Sequence, residues 1–187
     1  MTLLEMKKKV LRLIEEISDN AASLTSDPDI ENKLNDVINQ KLFELARMKK
    51  IPAYVEIEVA EGELIDFDRI GDYYGSSVYQ LNTVKGVSRD IKANGTVIKA
   101  LSAGTMEIDF FIYPERITDK TKDKGYVFRL SDDALEIMPY GVAADLLMSD
   151  ESANFGAYYS SRYESMKQEL DPRYEMTDIT VEGGVYI

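Results

Sequence analysis

Apolar residues open the chain at Leu3, Met6, Val10, Ile14, Ile17, Ala21 and Leu24, and Leu4, Leu11 and Leu13 widen the same stripe. A spacing of three or four puts such residues on one face of an α-helix, so the pattern predicts a helix over residues 3–25. Thr2 followed by Glu5 has the form of a capping box at its start. Ser26-Asp27-Pro28 stops this helix and starts another, because Asp27 can cap and Pro28 suits a first helical position. The second helix, 28–50, carries Leu34, Val37, Ile38, Leu42, Leu45 and Ala46. Its basic end, Arg47 to Lys50, complements the helix dipole. The two together read as a helical hairpin.

From Ala53 the period changes to two. Val55, Ile57 and Val59 alternate with Glu56 and Glu58, the pattern of a half-buried strand. Residues 78–84 form a second candidate strand. Residues 90–93 and 96–99 flank Asn94-Gly95, whose tolerance of positive φ predicts a type I′ hairpin turn. Thr105 to Tyr113 alternates into a long strand closed by Pro114. A polar loop rich in Lys and Asp follows from Thr118 to Gly125. Helix returns after Ser131, with Leu135, Met138, Val142, Ala143, Leu146 and Leu147 on one side and Pro139 expected to kink or divide it. A last helix over 151–170 bears Phe155, Tyr159, Tyr163, Met166 and Leu170, and Asp171-Pro172 ends it.

The expected class is α+β: a four-helix bundle of two N-terminal and two C-terminal helices, with an inserted small antiparallel sheet and an extended C-terminal tail. Residues 1–170 form a single domain in this reading, with helices in 1–50 and 126–170 and the β insertion at 53–117. Residues 171–187 form an arm.

Composition narrows the chemistry. With no Cys and no His, thiolate nucleophiles, Cys-based zinc sites and Ser-His-Asp triads are excluded. No apolar run approaches the roughly 20 residues that span a bilayer, so no membrane partner is expected. Residues 1–50 carry nine bases and nine acids, so the net charge of −12 lies wholly in residues 51–187. From Leu130 onward twelve acids face three bases, a surface that repels phosphate backbones. Specific nucleic-acid binding is therefore not expected.

Four features invite a functional reading, and each has a plainer one. Tyr140, Tyr158, Tyr159 and Tyr163 could anchor an interface, since Tyr joins large area to a polar tip, or could pack the chain's own core. Spacing puts Tyr159 and Tyr163 on the core side. Gly141, Ala143 and Ala144 could let subunits approach closely, and read first as an internal helix contact. Asp66, Asp68 and Asp72 around Gly71 faintly resemble a calcium loop, but an EF-hand would need an oxygen ligand at Ile70 and a Glu at Ser77. No metal site and no cofactor is expected. Glu107 and Asp109 could pair for acid-base work, yet alternation with Met106, Ile108 and Phe110 is the pattern of a solvated strand face. No catalytic residue is assigned. In the tail, Tyr174, Met176, Ile179, Val181, Val185, Tyr186 and Ile187 give more apolar surface than a solvated terminus needs, which marks an interaction arm or a strand folded back on the sheet.

Three segments carry a resemblance to a known family. MTLLEMKKKVLRLIEEI is followed by NKLNDVINQKLFELAR; NGTVIKALSAGTMEIDFFIYPERITD leads from hairpin to strand; and LSDDALEIMPYGVAADLLMSDESANFGAYYSSRYESMKQEL has Pro139-Tyr140 before a small-residue stretch and tyrosines on the last helix. This order over most of residues 1–170 resembles the portal adaptors, the head–tail connector or head-completion proteins of tailed bacteriophages. Residues 61–77 have no counterpart in that pattern. The resemblance implies a virion structural protein at the head–tail junction, assembled in the host cytoplasm, and not an enzyme. Its partners would be the portal protein, tail or stopper and nozzle proteins, and further copies in a ring of twelve, with DNA passing through the lumen without specific binding. A stopper or tail terminator, a carboxylate-dependent hydrolase and a soluble binding module of the regulatory or antitoxin-like kind are the other readings weighed.

Overall fold

The computed structural model describes residues 1–17, 24–148 and 153–170. These fall into two compact units, one of residues 1–49 and 114–170 and the other of residues 50–113.

The first unit is helical. Helix α1, Leu3–Leu13, opens with a complete capping box: Glu5 Oε2 accepts from the Thr2 N–H at 2.8 Å, and Thr2 Oγ1 accepts from the Glu5 N–H at 3.3 Å. The two remaining early donors, Leu3 and Leu4, reach the carbonyls of Tyr126 and Asp123, each at 3.0 Å. Every orphan N–H of the first turn therefore has a partner, and the start of α1 is stitched to the 122–128 loop. The helix ends far short of the predicted residue 25. Glu15 takes a left-handed φ of 59°, and the N–H groups of Glu15 and Glu16 turn back to the carbonyls of Arg12 and Leu11. This Schellman closure ends the helix although the apolar period runs on.

Helix α2, Pro28–Lys49, matches its predicted span to within a residue, capped by Asp27 Oδ1 accepting from the Asp29 N–H at 2.8 Å. Helix α4, Asp132–Leu147, follows the polar loop, and α5 covers Ala153–Gln168. Pro139 does not divide α4, which runs as one helix across it.

The expected four-helix bundle is not what forms. Helix α4 is buried nearly all round, from Ala134 and Leu135 through Val142 to Leu146, and a helix apolar on every side must be covered on every side. It packs against α5, α2 and α1 in turn, while α1 and α2 make no comparable contact with each other. The helical hairpin is thus replaced by an arrangement around a central α4. Nor do the helices and strands segregate as the bundle requires, for a further helix lies among the strands.

That helix belongs to the second unit. Strands β1 (Ile51–Val59), β3 (Val78–Gly86) and β6 (Gly104–Ile112) make one antiparallel sheet in the order β1-β6-β3. Strands β2 (Leu64–Asp66), β4 (Arg89–Lys92) and β5 (Val97–Ala100) make a second, in the order β2-β5-β4, where the sequence predicted one sheet. Helix α3, Phe67–Tyr74, fills the stretch without a family counterpart. Asp66 caps it, its Oδ1 accepting from the Arg69 N–H at 2.9 Å, and Gly75 closes it in the left-handed region. A helix of eight residues with one buried position carries too little periodicity to stand out from its loop. The β4–β5 hairpin forms, but Lys92 pairs with Val97, leaving the four residues 93–96 in a short 3₁₀ connection with Ala93 and Gly95 left-handed. The register is the one that a turn centred on Asn94-Gly95 sets, with Ile91 opposite Ile98, and only the closing 93–96 pair is given up to the 3₁₀ turn.

Candidate protein interface on the C-terminal helix pair

Helices α4 and α5 approach so closely that glycine is required at the contact. A Cβ on Gly141 would stand 2.9 Å from the Tyr163 ring, and one on Gly156 would stand 3.2 to 3.3 Å from the α4 backbone at Ala144, Leu147 and Met148. The small residues at 141–144 therefore serve contact within the chain.

Tyr163 is only 2% exposed. The ammonium groups of Lys41 and Lys167 lie over its ring at 5.1 and 5.2 Å, two cation–π contacts in a site shielded from water. Lys41 pairs with Asp145 at 3.0 Å, and Lys167 with Glu44 at 2.7 Å and Glu164 at 2.9 Å. Burial, with the charge of Glu44 beside it, holds the Tyr163 phenol well above the usual tyrosine range. Burial alone would raise the Glu44 carboxyl as well, but the hydrogen bond from Lys167 and the charge of Lys41 overcome it and hold the group below 4.5. Lys49 likewise pairs with Asp133 at 2.5 Å. Its hydrogen bond lowers the Asp133 carboxyl against the effect of burial.

The outer side of α5 is built differently. Phe155 is 66% exposed and Tyr158 57%, with Arg162 one turn further on. Tyr158 meets Tyr159 edge-on at 5.5 Å, and Tyr159 lies 6.3 Å from Tyr140 on α4. The Arg162 guanidinium stacks over Tyr140 at 4.5 Å. The Tyr159 hydroxyl donates to the Leu13 carbonyl at 2.7 Å, satisfying a free acceptor at the end of α1. The four tyrosines thus divide. Tyr163 belongs to the core, Tyr140 and Tyr159 are half-buried supports, and Tyr158 faces water. Phe155, which the sequence placed among the apolar contacts of its helix, joins Tyr158 and Arg162 at spacings of three and four. Spacing placed Tyr159 and Tyr163 on the side that meets α4, as found; Phe155 departs from that stripe and stays exposed.

The remaining candidates resolve separately. Tyr174, Met176, Ile179, Val181, Val185, Tyr186 and Ile187 lie outside the described residues. Asp66 is occupied as the α3 cap, and among the described residues no group of three or more carboxylates is placed to hold a metal ion. Glu107 stands opposite Glu56 across β1 and opposite Lys85 across β3, on an outward sheet face with Tyr54 and Glu58. Tyr54 donates to Glu56 at 2.6 Å, a bond that, with the acids around it, pushes its phenol up to about 12.

A scan of protein-family models finds none that matches this chain, and no curated protein matches it.

Proposed function

We propose that the chain is a ring-forming adaptor, a virion structural protein that joins the portal of a tailed phage to its tail and continues the DNA channel, with no catalytic role. Its partners in this reading are the portal protein, tail or stopper and nozzle proteins, and further copies of itself in a ring of twelve. The resemblance over most of residues 1–170 supplies the identity of the assembly. The observation that carries it is the outer face of α5. Phe155 and Tyr158 are more than half exposed, beside Arg162, on a helix whose opposite side is locked against α4. Large aromatics and Arg are the residue types that anchor protein interfaces, and leaving them in water forgoes about 1.5–3 kcal/mol for an aromatic side chain such as Phe.

Light scattering and size-exclusion chromatography of the protein mixed with its portal test this. The wild-type chain is expected to co-migrate with the portal at micromolar concentration, and Phe155→Asp with Tyr158→Asp to abolish co-migration while leaving the circular dichroism and melting temperature of the free protein unchanged. A wild-type chain that stays apart from the portal sinks the reading.

A further inference from the structure

Two basic stretches of this acidic chain come together. Residues 6–14 hold Lys7, Lys8, Lys9 and Arg12 with no acid, and residues 116–129 hold five bases against two acids. The two stretches are over a hundred residues apart, and the fold sets them side by side. The Leu4 N–H bonds to the Asp123 carbonyl, the Thr2 and Val127 backbones form a β-bridge, and Lys7 pairs with Asp123 at 3.0 Å. Lys122 and Lys124 flank that aspartate and are exposed, as are Arg129 and Arg12. Lys8 sits one helical turn above Leu4, on the line that meets the loop. Lys8, Arg12, Lys122, Lys124 and Arg129 have no ion pair among the described residues. Within this seam Val127 is 59% exposed, an apolar foothold between the charges.

We infer that this seam is an interaction surface for an acidic, partly apolar peptide segment, and that its occupant is residues 171–187 of a second copy of this chain. The segment has the matching chemistry. Asp171, Glu175, Asp178 and Glu182 recur every three or four residues against the single base Arg173, with Tyr174, Met176, Ile179 and Val181 between them. Its length fits as well. Seventeen residues leaving Leu170 reach about 55 Å when extended, nearly twice the roughly 30 Å width of a small domain. Assignment to a second copy rests on the ring reading above. A ring closes through heterologous contacts, in which one surface of each subunit meets a different surface of the next, and seam and segment are such a pair. A duplex phosphate backbone is the competing polyanion. It fits the seam less well, because it offers nothing to the exposed Val127.

The probe is a fluorescent synthetic peptide of residues 171–187, titrated with the full-length protein and followed by polarisation. Saturable binding is expected that weakens as salt rises from about 0.05 to 0.5 M and falls at least about tenfold in K122E/K124E. No saturable binding, or binding indifferent to that double substitution, overturns the proposal. So does a duplex oligonucleotide that binds the seam more tightly than the peptide does. A charge swap then identifies the copy. K122E/K124E protein and E175K/D178K/E182K protein should each be monomeric by sedimentation velocity, and mixing them should restore association. Peptide binding without restoration on mixing overturns the second-copy assignment in favour of the chain's own segment. Peptide binding in a protein that ignores its portal fells the adaptor reading alone, and portal binding without peptide binding fells this one alone.

Discussion

At position 141 a hydrogen stands where any other residue would push a carbon to 2.9 Å from the Tyr163 ring. Tyr163 has little room to retreat, being only 2% exposed. Gly141→Ala should therefore destabilise the protein by about 1–3 kcal/mol despite its better helix propensity, because overpacking outweighs the roughly 1 kcal/mol that alanine gains in a helix. Urea denaturation should show a lower midpoint with an unchanged slope, and pairing it with Tyr163→Leu should recover part of the loss. Asn39 supports a different feature. Only 4% exposed, it donates from Nδ2 to the Ile117 carbonyl at 2.8 Å and accepts at Oδ1 from the Ile117 N–H at 2.9 Å, tying α2 to the start of the polar loop. Asn39→Ala strands both backbone groups. A loss of about 2–4 kcal/mol in the same denaturation measurement is expected, against under about 0.5 kcal/mol for the exposed Asn154→Ala.

At the scale of elements, the contact of α5 with α2 is electrostatic where that with α4 is steric. Glu44 on α2 joins Lys167 on α5, and the two titrate at opposite ends of the pH range. The Glu44 carboxyl is lower in the folded chain, so its contribution is full above its ordinary value of 4.5 and is lost as pH falls through the depressed value. Burial opposes the charge of Lys167, but hydrogen bonds to Glu44 and Glu164 raise it above 10.5, so its contribution is full below 10.5 and is lost as pH climbs past the raised value. The melting temperature should decline on both sides, and Glu44→Gln should flatten the acid limb. An acid limb unaltered in that variant would assign the slope to other carboxylates such as Asp133, which is also held low. Helix α1 carries the same lesson about ends. Its apolar stripe continues to Leu24, but the left-handed Glu15 ends the helix twelve residues earlier than predicted, and periodicity does not encode that φ.

For the whole molecule, the distribution of charge separates roles that net charge conceals. The value of −12 argues against nucleic acid as a partner, yet it hides a basic seam that exists only once α1 and the 122–128 loop are joined. In the adaptor reading proposed above, removing residues 171–187 should leave the melting temperature of the free protein nearly unchanged while abolishing ring attachment to the portal. A large drop in melting temperature would mean that those residues complete the fold. Both results can be read from one truncated protein, by calorimetry and by co-migration.

Local chemistry made much of this legible in the sequence. Thr2 with Glu5, Asp27 with Pro28, and the alternation from Val55 to Val59 depend on neighbours within a few residues, and the capping box, the start of α2 and strand β1 lie where those patterns put them. What depends on distant neighbours was decided by packing. The uniform apolarity of α4 made it the centre around which α1, α2 and α5 gather, in place of the bundle. The β4–β5 hairpin kept the register of its Asn94-Gly95 signal, and only its connection took a 3₁₀ form in place of the two-residue turn. A helix's stripe says which residues can be buried; only the partner that covers it says which are, so Tyr163 went inside while Phe155 and Tyr158 stayed in water.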